Sequence, residues 1–71
     1  MTIEELLTTC AADNDFEIDL YDEPNQINES TTFLKLWQGR TNYHWLDAEI
    51  DYWNPDTEGR YMQISAVLID V

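Results

Sequence analysis

Two alternating runs on either side of a loop of turn formers dominate residues 46–71. The first is Leu46-Asp47-Ala48-Glu49-Ile50-Asp51-Tyr52-Trp53. The loop is Asn54-Pro55-Asp56-Thr57-Glu58-Gly59, and the second run begins at Arg60. Side chains alternate along a strand. Ala48, Ile50 and Tyr52 therefore share one face, and Glu49, Asp51 and Trp53 the other. Met62, Ile64, Ala66 and Leu68 share a face of the second run, and Val67 and Ile69 keep the opposite face apolar. That end reads as covered on both sides. Pro55 fixes φ and Gly59 is free to take φ > 0. The pattern predicts a β-hairpin.

The rest of the chain has to pack against that hairpin. Thr2 and Glu5 stand in capping-box positions. Ile3, Leu6, Leu7 and Cys10 follow at helical spacing, which predicts a helix over residues 3–11, ended by Asp13-Asn14. A helix this short is not stable alone and must dock on the sheet. Residues 15–22 alternate, with Phe16, Ile18 and Leu20 inward and Glu17, Asp19 and Tyr21 outward, as in a half-buried antiparallel strand. Residues 23–31 read as an exposed loop with Ile27 tucked in. Residues 32–38 read as a strand with bulk on both faces, suited to the sheet centre. Residues 43–46 fit either one helical turn or the lead-in to the next strand. The fold class is α+β in one domain spanning residues 1–71. A short N-terminal helix packs on a four-stranded antiparallel sheet, in the order α-β-β-β-β. The sheet is strongly twisted or curled into a partly open barrel.

Charge narrows the function. Fifteen Asp and Glu stand against three Lys and Arg, a net −12. Such a chain repels DNA, RNA and anionic membrane and attracts basic protein surfaces. A hydrophobic fraction of 44% separates it from disordered acidic tails. The core of a 71-residue chain is small, and a homodimer would enlarge it. The lone Cys10 excludes a disulfide framework and a Cys-based zinc cluster, and it reads as a packed residue. With no signal-peptide pattern and no apolar run of membrane length, the chain reads as cytoplasmic. From Met1 to its final strand pattern, it reads as a whole small gene product.

The candidate binding residues are acids and aromatics. Glu17 and Asp19 are two apart on one strand, as are Glu49 and Asp51 on another. Each pair is then ~6.5–7 Å apart, close to the spacing of nucleic-acid phosphates. With the loop acids Asp56 and Glu58, such rows imitate a phosphate backbone. Tyr21 and Trp53 share the outward faces as anchors. Trp37 is a candidate for a dimer or partner contact. Asp13-Asn14-Asp15-Phe16-Glu17 and residues 54–58 alternate oxygen side chains as calcium loops do, but both lack the Gly and Glu that complete such a loop. They read as turns, and no metal site is assigned. His44 is the only His and reads as structural. No phosphate-cradling Gly-rich loop or nucleophile–base motif exists, so no catalytic residue and no cofactor is expected.

Glu4-Glu5-Leu6-Leu7, Asp15-Phe16-Glu17-Ile18 and Trp45-Leu46-Asp47-Ala48-Glu49-Ile50 give the chain a recognisable layout. It resembles the small acidic accessory proteins encoded by phages and mobile elements of Gram-positive bacteria, among them anti-CRISPR and anti-restriction proteins. The resemblance implies a host-protein target and carries no functional residue with it. The leading expectation is a non-enzymatic acidic inhibitor. It binds a basic, nucleic-acid-binding host protein by DNA mimicry and contacts neither nucleic acid nor membrane itself. The alternatives are a small assembly module forming a homodimer, and an immunity protein or antitoxin.

Overall fold

The computed structural model describes residues 1–9, 15–55 and 61–69. Helix α1 (Ile3–Thr9) leads to strands β1 (Glu17–Asp22) and β2 (Ile27–Thr32) and to helix α2 (Phe33–Trp37). A 3-10 turn (Trp45–Asp47) then precedes strands β3 (Glu49–Pro55) and β4 (Tyr61–Val67). The four strands form one sheet in the order β2-β1-β4-β3. The α+β class is as the sequence suggests. The sheet is mixed, however, and not purely antiparallel: β1 and β4 run parallel at its centre, flanked by antiparallel β2 and β3. It is also open, with β2 and β3 as its edges, and not curled into a barrel. A parallel pair needs a long crossover connection. Here β2, α2, the 3-10 turn and β3 together supply it.

One sheet face holds the whole described core. Ile18 and Leu20 of β1 and Met62, Ile64 and Ala66 of β4 meet Ile3, Leu6 and Leu7 of α1, Leu36 of α2, and Trp45. Side chains of this type contribute ~1.5–3 kcal/mol each on full burial. Trp45 is the largest fully buried side chain, and its indole Nε1 donates to Glu29 Oε1 at 2.8 Å. Of residues 43–46, Trp45 and Leu46 enter the 3-10 turn Trp45–Asp47, which delivers Trp45 to the core, and Tyr43 and His44 precede it. The capping box of α1 forms as its sequence predicts. Glu5 N–H donates to Thr2 Oγ1 at 3.2 Å, and Thr2 N–H donates to Glu5 Oε1 at 3.0 Å. The helix runs to Thr9. Cys10 and the expected terminator Asp13-Asn14 lie outside the described residues, as do Asp56, Glu58 and most of the hairpin loop.

Two sequence expectations are corrected between residues 23 and 38. The expected strand over 32–38 is helix α2. Thr32 is its N-cap, and its Oγ1 accepts from Lys35 N–H. Asp15 Oδ1 caps the same end from outside by accepting Leu34 N–H at 2.9 Å. At the other end Gly39 takes φ +72°. There Gly39 N–H donates to the Leu36 carbonyl at 3.0 Å, and Arg40 N–H to the Lys35 carbonyl at 2.8 Å. That is a Schellman closure, which needs the left-handed residue that Gly supplies. The expected loop over 23–31 is mostly strand β2. Only four residues connect β1 to β2, because Asp22 already pairs with Ile27. The β2 sequence Ile-Asn-Glu-Ser-Thr-Thr lacks apolar alternation because, as an edge strand, it buries neither face fully.

Candidate docking face

Among the described residues, the helices and the 3-10 turn cover one side of the sheet and no element covers the other. Register fixes what it displays, because paired residues face the same side. The central row runs Ser30, Asp19, Gln63 and Asn54, and the next runs Asn28, Tyr21, Ser65 and Tyr52. Glu17 and Tyr61 pair beyond them on one side, and Glu49 pairs with Val67 on the other. No strand contributes a Lys or Arg in its described residues. Ser65, in register between Tyr21 and Tyr52, is only 6% exposed despite the missing layer. The tyrosines therefore stand as ridges on either side of a low strip.

Asp19 is the centre of this face. Its Oδ1 accepts from Ser30 Oγ at 2.8 Å. Its Oδ2 accepts from the hydroxyls of Tyr61 and, at 3.4 Å, Tyr21. The Tyr61 bond, helped by those of Ser30 and Tyr21, outweighs partial burial and holds the Asp19 carboxyl below the usual carboxylate range. The same bond raises the Tyr61 phenol above its ordinary value. Asp19 is thus ionised at neutral pH, and the Tyr61 hydroxyl that donates to it also accepts from Gln63 Nε2 at 3.4 Å. Chemically the face offers negative charge, phenol rings and acceptor oxygens.

Glu17, Asp19, Tyr21 and Glu49 do share this face, as the alternation suggests. They do not make two adjacent acidic rows. β4 lies between β1 and β3, and Glu49 registers with Val67, well beyond Gln63, the partner of Asp19. Strand geometry separates Glu49 from Asp19 by about 13 Å along the strands and about 10 Å across them. The Glu49 carboxylate also accepts from the N-terminal ammonium of Met1 at 2.8 Å.

Trp53 is misplaced by simple alternation. The register shifts between Ile50 and Tyr52, so Asp51 is an extra residue in β3. Ile50 pairs with Ala66, and Trp53 with Ile64, both on the core side. Tyr52 pairs with Ser65 on the open side. A bulge of this kind inverts every position after it. Tyr52, 60% exposed, is the β3 aromatic on the open face. Trp53 sits at the rim of the helix side, 42% exposed. Trp37 is likewise on the helix side, exposed, with its ring parallel to that of Phe33 at 6.4 Å. Sequence alone marks Tyr61 only as one of a cluster of aromatics, not as a binding residue, and does not mark Ser30 at all. Alternation from Met62 places Tyr61 outward, but Ser30 became visible only once β2 existed. No family model, curated protein or solved structure matches this chain.

Proposed function

We propose that this chain is a non-enzymatic binding protein whose open sheet face docks on a basic protein surface and keeps nucleic acid from it. The observation that carries this is the open layer itself: Glu17, Asp19, Tyr21, Tyr52 and Tyr61 share one face to which the described strand residues add no cation, Lys35 of α2 reaching it beside Glu17 and Asp19 and the Met1 ammonium at Glu49. An ordinary solvated surface mixes charge signs more evenly. Tyr is also a favoured anchor of protein interfaces. The contact relies on a central carboxylate framed by phenols more than on ordered phosphate-like rows. A net charge of −12 steers the encounter from a distance.

The test is retention of a partner by the immobilised chain in lysate at low salt, with a salt ramp and mass-spectrometric identification. The expected result is a basic nucleic-acid-binding protein released by moderate salt. Asp19→Lys combined with Tyr52→Ala should lose it at least tenfold while circular dichroism stays unchanged. Retention indifferent to salt and to those substitutions overturns the reading. A second reading, self-association through the helix side, draws on exposed Leu34, Trp37 and Trp53. Light scattering that gives a monomer at high concentration removes it.

A further inference from the structure

The two edges of the sheet differ in how they meet solvent. The start of β3 is covered by the N-terminal residues: Ile50 N–H donates to the Met1 carbonyl at 2.8 Å, and Ile3 N–H to the Ala48 carbonyl at 3.1 Å. The rest of β3 carries the bulge at Asp51 and ends in Pro55. Each of these devices obstructs the addition of another strand. Among the described residues β2 has none of them. Its six residues pair with β1 in unbroken register, and they include no Lys and no Pro. Among the described residues no strand lies on its outer side. Such an edge offers unpaired N–H and C=O groups to an extended segment.

The surface beside that edge says what kind of segment fits. On the open face β2 displays only the short neutral side chains Asn28, Ser30 and Thr32. Over the paired strands β2 and β1 lies a hollow of about 310 Å³ lined by Ser30 and Thr32 of β2, Glu17 and Asp19 of β1 and Tyr61 of β4. Lys35 also lines it, so two carboxylates face one ammonium. A strand added outside β2 lies about 5 Å from it and about 10 Å from β1. A long cationic side chain on that strand crosses the low β2 floor and meets the Glu17 carboxylate partway. A short side chain does not.

We infer that the outer edge of β2 takes an extended basic segment of a protein partner as a fifth strand, with its open-side Lys or Arg side chains lying in the hollow against Glu17 and Asp19. This rests on the reading that the partner surface is basic. It adds that the partner contributes a strand and not only a charged patch. The probe is a capped hexapeptide of alternating Lys and Val, compared with one of equal charge in which Pro replaces Val. The proline peptide cannot donate the ladder hydrogen bonds. Titrations of the full chain at low salt are followed by amide exchange.

The alternating peptide should bind at least tenfold more tightly than the proline peptide. It should also slow exchange at amides of Ile27–Thr32 that are fast in the free chain, and Asp19→Asn should weaken it several-fold. Equal binding of the two peptides overturns the strand-addition inference and leaves the acidic docking face standing. Binding of neither overturns both. Edge amides already protected in the free chain, in a particle of twice the mass, assign the edge to a second copy and overturn the inference.

Discussion

Asp22 shows how much a single residue holds in a core this small. It is a fully buried carboxylate. Burial alone raises its pKa, but three hydrogen bonds outweigh it and bring the group below the ordinary carboxylate range. They come from Asn25 Nδ2 at 2.8 Å, Leu68 N–H at 2.9 Å and Asn25 N–H at 3.1 Å. One side chain therefore ties the β1–β2 turn to the segment leaving β4. Hydrogen bonds to a charged group contribute ~1.5–3 kcal/mol each, and a buried donor left unpaired carries its own penalty. Asp22→Ala should cost about 3 kcal/mol in a denaturant melt. A cost below about 1 kcal/mol would show the tie to be dispensable. The linkage has a definite sign. A carboxyl with a depressed folded pKa stabilises fully above its unfolded value, about 4, and loses that contribution as pH falls through the lower folded value. Asp22 and Asp19 share this direction. Wild-type stability should therefore decline below about pH 4. Asp22→Asn, measured over the same range, should show a shallower decline.

Helix α2 and strand β3 are the elements where reading the sequence and seeing the structure part company. The signals for α2 were present: Thr32 before an apolar run, Phe33, Leu36 and Trp37 at helical spacing, and Gly39 just past the end. A period-two reading fits the same run equally well, because Phe33, Leu34, Leu36 and Trp37 are apolar on every side. Asp15, which caps α2 from another part of the chain, has no local signature at all. Removing the local caps tests the assignment. Thr32→Ala should cost about 1 kcal/mol. Gly39→Ala should cost about 1–2 kcal/mol from backbone strain alone, since an added Cβ meets nothing within 4 Å. Either substitution proving neutral would count against these caps.

The bulge at Asp51 is likewise invisible to alternation, which runs unbroken through it in the sequence. Most of the α+β framework was legible, because α1 and β1 carry strong patterns and the residues of β3 and β4 alternate. The open face was legible at Glu17, Asp19, Tyr21 and Glu49, the positions before the bulge. The bulge then exchanges Tyr52 for Trp53. Partner retention should fall several-fold in Tyr52→Ala and stay near wild type in Trp53→Ala. The reverse order would place the contact on the helix side.

For the whole molecule, charge sets both stability and encounter. Among the described residues no helix is long and apolar enough to cross a membrane. At net −12 the folded chain repels itself. The ion pair of the Met1 ammonium with Glu49 is exposed and contributes little. Salt screens repulsion more than it weakens that one pair. The melting temperature should therefore rise between low salt and 0.5 M NaCl, while partner binding weakens over the same range. A melting temperature that falls with added salt would show attraction to dominate.

The parallel pairing of β1 with β4 reaches further than the shape of the sheet. Glu17 must find Tyr61 before the centre of the molecule exists, and contacts so distant along a chain close slowly. During synthesis the β1–β2 hairpin can form as soon as both strands have emerged, but its inner edge then waits for the last strand. Throughout that wait β1 offers unpaired backbone on the side β4 will occupy, next to its apolar Ile18 and Leu20. The early hairpin is thus the stage most exposed to mispairing, and the acids Glu17, Asp19 and Asp22 along that same strand keep like copies apart until β4 arrives.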